Sequence, residues 1–209
     1  MKRISVVVLV ITVTILGFGG CSARRPIQGQ ETSGLDRKLS TFAFIEEGEL
    51  VTFIVGTRAA RYRDKSSYMP LEIAIVNTGL RNLVLRRESF TLIDEEGNRY
   101  PVATPSELIE SYEFLDLDRT AMSELASITT TKFAAFRQYP SKFSPTRNAP
   151  ASPLQSTTVR DLVSLPKFGY MIDYIYFPKP STGIKDHQFE VFVESESLPD
   201  PVFVKFSVE

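Results

Sequence analysis

The chain has one cysteine, Cys21, one histidine, His187, and no tryptophan among its 209 residues. A single cysteine forms no internal disulfide, so the fold must rest on its hydrophobic core. The scarcity of histidine and cysteine excludes the ligand sets that hold transition metals. Catalytic triads need a histidine set beside a nucleophile by the fold. Here Asp186 is merely the neighbour of His187 in sequence, and no G-x-S-x-G is present. His187 lies in the polar stretch GIKDHQ and is expected in a surface turn. Charge of either sign is also lacking in excess: 24 Lys+Arg face 25 Asp+Glu. That balance excludes the basic surplus of a nucleic-acid binder. No cofactor, metal or catalytic residue is expected from these counts.

What is present begins with an uncharged N-terminal run. Lys2 and Arg3 precede ISVVVLVITVTILGFGG, which ends at Cys21 and is followed by the polar, basic SARRPIQGQETSG. A positive n-region, an apolar h-region and small residues before a cut are the parts of a secretory signal. Gly19 and Gly20 running directly into Cys21 resemble the lipobox of bacterial lipoproteins, with Phe18 where that family usually has Leu. The resemblance implies a signal peptide over 1–20, cut before Cys21, and acyl chains on Cys21 that hold the protein to a membrane. Several chains on one residue give a long-lived attachment, whereas one is marginal. Ser22, by the same resemblance, implies the outer membrane, with the body facing the periplasm. Two alternatives are an uncleaved transmembrane anchor, since a span needs about 20 apolar residues, and ordinary secretion with Cys21 as a structural residue. Residues 21–38 read as a flexible tether.

From residue 39 onward the chain is long enough for one domain. Its 13 prolines and 15 phenylalanines suit a β protein with many turns. Strands are expected over 50–56, 68–77, 83–85, 90–93, around Tyr100 and Val102, and over 159–165, 170–177, 188–194 and 202–208. Asn77-Thr78-Gly79 and Glu96-Gly97-Asn98 supply turns. Leu71, Ile73 and Ile75 alternate with Glu72 and Ala74. Likewise Val202, Val204, Phe206 and Val208 alternate with Phe203, Lys205 and Ser207. Such alternation predicts antiparallel strands with one solvated face. The apolar YMIDYIYF is expected at the centre of a sheet.

An insertion of about 104–156 interrupts this pattern. Thr104-Pro105-Ser106-Glu107 is a capping box with Pro at the first helical position, and Leu108, Ile109, Tyr112 and Leu115 follow helical spacing. A second helix is expected around Ala121, Met122, Leu125 and Ala126. Four prolines then break the chain into an irregular stretch. The fold class expected is mainly β: an antiparallel immunoglobulin-like β-sandwich with an inserted helical segment. The run LEIAIVNTG…LVL…FTLIDEEGNRY is similar to an uncharacterised immunoglobulin-like domain of bacterial envelope lipoproteins, a resemblance that implies a sandwich and an extracytoplasmic setting.

Two stretches carry candidate chemistry. The string DLDRT, with Asp116 and Asp118, looks like the first motif of haloacid-dehalogenase-type phosphotransferases. That motif requires a buried parallel strand before it, whereas a capped helix precedes it here. The expected role of both acids is as solvated residues at a helix junction. The second stretch interleaves Lys132, Arg137, Lys142, Arg147 and Arg160 with Phe133, Phe136, Tyr139 and Phe143. It reads as aromatics packed on the sandwich, with the neighbouring acids neutralising the cations; the alternative is a basic aromatic surface for anionic lipid or an acidic partner. The function expected is a lipid-anchored binding or structural module of the bacterial cell envelope, with an envelope protein or polymer as partner and without catalysis. The alternatives are a carrier of an apolar ligand and a hydrolase using Asp116 and Asp118.

Overall fold

The computed structural model describes residues 37–121, 124–146 and 159–209. The expected signal peptide, Cys21 and most of the tether lie outside the described residues, as do Met122, Ser123 and residues 147–158.

The chain is mainly strand, arranged in antiparallel sheets. The strands are β1 (Lys38–Ser40), β2 (Ala43–Glu47), β3 (Val51–Gly56), β4 (Tyr68–Asn77), β5 (Asn82–Arg86), β6 (Phe90–Asp94), β7 (Arg99–Pro101), β8 (Arg137–Gln138), β9 (Leu162–Pro166), β10 (Gly169–Pro178), β11 (Gln188–Val193) and β12 (Val202–Ser207). One sheet has the order β1-β2-β3-β4-β10-β8, a second β12-β11-β6-β7, and β5 pairs with β9 in a two-stranded ribbon. The pairing of β8 with β10 is parallel. Tyr68–Asn77 coincides with the strand expected there, and the expected capping box is present at Thr104, with Glu107 returning the hydrogen bond. The Glu96-Gly97-Asn98 turn joins β6 to β7, and Gly97 takes a left-handed φ of 84°, which glycine adopts without steric cost.

Alternation builds the main core. Phe53, Val55, Leu71, Ile73, Ile75, Met171, Ile175 and Phe177 of the large sheet are buried with Phe90, Leu92, Phe189, Val191, Val193, Val204 and Phe206 of the second. Leu83, Leu85, Val163 and Leu165 of the ribbon join the same cluster. Burying each such side chain contributes roughly 1.5–3 kcal/mol.

The other face of the large sheet departs from expectation. It is covered by helices from the insertion, so β4 is buried on both faces along nearly its whole length. Those helices are α2 (Pro105–Ser111), α3 (Leu115–Ala121) and α4 (Leu125–Lys132), while α1 (Arg58–Arg61) precedes β4. Leu125 and Phe133 pack on Ile54, Ala74, Val76 and Tyr170. Leu108, Tyr112 and Leu115 pack on Tyr174 and Tyr176. The sequence YMIDYIYF lies in β10, which stands one place from the edge rather than at the centre of its sheet: it pairs with β4 along its length, while its outer neighbour β8 meets it only at Gly169 and Tyr170.

Acids buried on the strands attach this helical layer. Asp173 accepts hydrogen bonds from Ser141 Oγ at 2.6 Å, the Phe143 backbone at 2.7 Å and Arg119 Nη1 at 3.1 Å. Glu72 Oε2 accepts from the backbone of Glu124 at the start of α4. Buried charges are tolerated only when so satisfied.

Candidate functional site

The α1–β4 loop is the polar run YRDKSS, and its first turn is set by the small residues Ala59 and Ala60, both buried. The Arg63 N–H bonds back to the Ala60 carbonyl at 3.0 Å, and the Ser66 N–H to the Arg63 carbonyl at 2.9 Å. These bonds turn the Arg63 side chain inward, where only 8% of it is exposed. Its Nη2 lies 2.7 Å from Asp118 Oδ1. Its guanidinium stands over the Phe114 ring at 4.1 Å, close enough for a cation–π contact. Its Nε has no hydrogen-bond partner among the described residues.

Asp118 projects from α3 into this pocket with its carboxylate fully buried. The Tyr112 hydroxyl donates to Asp118 Oδ2. The Tyr112 ring meets Tyr68, Phe114 and Tyr176 edge-on, at centroid distances of 5.7, 6.0 and 5.1 Å. Burial pushes the Asp118 carboxyl above the usual carboxylate range, against the opposing pull of Tyr112 and Arg63. Burial, together with the negative charge of Asp118 and, first for Tyr174, that of Glu72, also pushes the phenols of Tyr112, Tyr174 and Tyr176 upward.

Above the pair lies a cleft of about 340 Å³. One wall is Tyr62, Arg63, Lys65, Ser66 and Ser67; the other is Ser111, Tyr112, Glu113 and Phe114. Tyr62 is more than half exposed, and the Tyr68 hydroxyl meets Ser111 Oγ at 3.0 Å. The cleft presents hydroxyls, one amine, one guanidinium, one carboxylate and three aromatic rings, with Asp118 outside its lining. This combination suits a hydroxyl-bearing polar ligand that stacks on rings and exchanges hydrogen bonds.

The acids of DLDRT sit differently from the expectation of solvated residues at a junction. They belong to α3 itself, and Asp118 is buried while Asp116 is partly exposed. Two positions apart on a helix, their side chains do not face each other, so they do not converge on one substrate atom. His187 stands far along the chain from them, with Nδ1 2.6 Å from Glu95 Oε1 and about a third of its side chain exposed. Among the described residues no cluster of His, Cys, Asp and Glu could hold a metal ion, and no helix is long and apolar enough to cross a membrane.

The interleaved aromatics do pack: Phe133 and Phe143 are buried, and Phe136 and Tyr139 are half-buried. Among the described residues, the cations of this stretch find other neighbours. Lys132 pairs with Glu47 of β2 at 2.8 Å, and Arg137 lies over the Tyr139 ring. Sequence reasoning missed Arg63 and Tyr62. Nothing local marks one arginine of TRAARYRDKSS as buried, because the acid it meets arrives from a distant helix. Comparison of the chain with protein-family models, curated proteins and solved structures finds no match.

Proposed function

We propose that the protein is a lipid-anchored, extracytoplasmic binding module of the bacterial cell envelope, held at Cys21, probing an envelope polymer with the cleft beside Arg63. The cleft carries this reading: its aromatic faces and hydroxyls suit a polymer rich in hydroxyl groups. Its polar lining does not suit an apolar cargo. The module works by binding rather than catalysis, a reading supported by the engagement of Asp118 with Arg63 and Tyr112 and by its divergence from Asp116. The two facing sheets suit an immunoglobulin-like β-sandwich whose outer face carries the helical layer. The basic n-region, apolar run and Gly-Gly-Cys supply the address, with the outer membrane favoured by Ser22.

Two measurements test the reading. The mass of the N-terminal peptide from membrane-fractionated protein is expected to show an acylated Cys21, with unprocessed precursor in Cys21→Ala. An intact Met1 peptide in both samples would overturn the lipid anchor. Co-sedimentation with insoluble envelope polymer is expected to fall at least tenfold in Tyr62→Ala and Lys65→Glu. Unchanged sedimentation in both variants would remove the cleft as the binding site.

A further inference from the structure

The β9–β10 turn holds an unusual residue. Phe168 has a left-handed φ of 64°, and the residue is 51% exposed. Glycine or asparagine takes that backbone cheaply; a phenylalanine there is uncommon and adds strain. The turn is clamped on both sides, by the Phe168 N–H donating to Asn77 O at 2.8 Å and the Arg137 N–H donating to Phe168 O at 2.9 Å. An exposed aromatic on a rigid, strained turn suggests that the ring's position matters more than its cost.

The ring ends a row rooted in the core. Phe168 meets Phe136 edge-on at 5.2 Å, and Phe136 meets Phe133 at 5.4 Å. Cations surround the exposed end. Lys167 Nζ lies 5.1 Å from the Phe168 ring centroid, Arg137 lies over Tyr139, and Arg81 accepts the Lys167 N–H with its carbonyl. Arg81, Arg137 and Lys167 are exposed, and none has a carboxylate partner among the described residues. Lys132, at the base of the row, is the one cation here paired with an acid, Glu47.

We propose that this face, with Phe168 at its tip and Arg81, Arg137 and Lys167 around it, seats the domain on an anionic lipid bilayer. An aromatic ring favours the headgroup boundary, and unpaired cations meet lipid phosphates there. Three cations and one ring bind a bilayer weakly on their own. A chain anchored to the same membrane raises the local concentration enough for weak contacts to set orientation. The inference rests on the membrane placement proposed above, which the mass of the N-terminal peptide decides separately.

The absence of tryptophan makes the test direct, because Phe168→Trp introduces a single fluorescent reporter. The full chain is anchored by its own N-terminus in vesicles of either phosphatidylglycerol or phosphatidylcholine. Tyr62→Trp, on the cleft, serves as the comparison. The expected result is a blue-shifted emission for Phe168→Trp in phosphatidylglycerol, with quenching by brominated lipid several-fold stronger than for Tyr62→Trp. Both are expected to vanish in high salt and in a chain that also carries Lys167→Glu and Arg137→Glu. Identical emission in the two lipids overturns the proposal. So does a reporter shielded from aqueous iodide yet not quenched by brominated lipid, which indicates a protein contact instead. Should tryptophan disturb the turn, hydrogen exchange of the unaltered chain provides the second reading. Amides of 132–137 and 167–170 are expected to slow in phosphatidylglycerol relative to phosphatidylcholine, and equal rates overturn the proposal.

Discussion

Glu72 Oε2 accepts the backbone N–H of Leu125 at 3.0 Å although 53 positions separate the two residues. The same oxygen accepts the Glu124 N–H at 2.8 Å. A strand residue thus does for α4 what an N-cap side chain ordinarily does, and Glu124 itself supplies no side-chain cap. The negative charge also faces the positive end of the helix. Glu72→Ala is expected to cost about 2 kcal/mol, and Glu72→Gln less, because an acceptor remains. Urea unfolding would show the loss as a lower midpoint with unchanged slope. Equal midpoints for wild type and Glu72→Ala would mean that the cap contributes nothing.

Arg63 and Asp118 form a buried pair whose value depends on both members staying. Arg63→Ala strands a buried carboxylate and is expected to destabilise by roughly 3–5 kcal/mol. Replacing both, as Arg63→Met with Asp118→Leu, is expected to recover most of that loss, since well-packed apolar residues can substitute for an ion pair. Tyr112→Phe leaves Asp118 Oδ2 without its hydroxyl donor and is expected to cost about 1–3 kcal/mol. A double-mutant cycle measures the coupling, and strictly additive losses would show that the two charges do not sense each other.

Two acids give the stability opposite dependences on pH. Burial opposes ionisation of Asp94, but hydrogen bonds from the side chain and backbone of Asn98, from Tyr100 and from the Glu96 backbone outweigh it and hold the carboxyl below its ordinary 3.8. Its stabilisation is therefore present above that value and lost as pH falls through its own lower pKa. Asp118 lies above 3.8, so its contribution is complete below the ordinary value and declines as pH rises through the raised one. Asp94→Asn is expected to flatten the acid limb of a stability–pH curve, and Asp118→Asn the limb toward neutrality. Denaturant unfolding at stepped pH separates the two. Parallel curves for wild type and both variants would refute the assignment.

Gly56, at the end of β3, lies under α4. A Cβ there would sit 3.1 Å from Leu125 Cγ and 3.3 Å from Glu72 Cβ. Gly56→Val is expected to overpack this contact and destabilise by about 1–3 kcal/mol. Pairing it with Leu125→Ala should cost less than the two losses summed, and thermal unfolding of the set would reveal that compensation.

Much of the sheet was legible because its cause is local. In β4 and β12 period-two apolar spacing and flanking turns act within a few residues, and Thr104 with Glu107 marks a helix start three residues apart. The two-residue β8 carries no period at all, and β2 holds a short apolar run ending in two glutamates. Glu72 reads locally as an outward-facing strand acid, and Asp118 as a solvated helix acid. Both are buried because of groups supplied from elsewhere in the chain: the amides of α4 for one, Arg63 for the other. Phe168 offered no signal either, since nothing in Pro166-Lys167-Phe168-Gly169 reveals a left-handed backbone ahead of glycine.

The ladder between β4 and β10 pairs Tyr68 with Pro178 and Tyr170 with Val76, so the whole insertion must be synthesised before it can close. Contacts so distant in sequence close slowly, because the loop between them loses entropy before the pairing repays it. Until then β4 exposes Met69, Leu71, Ile73 and Ile75 beside an unpaired backbone edge, a surface prone to mispairing. A newly made chain therefore has an interval in which a holding chaperone would raise its yield.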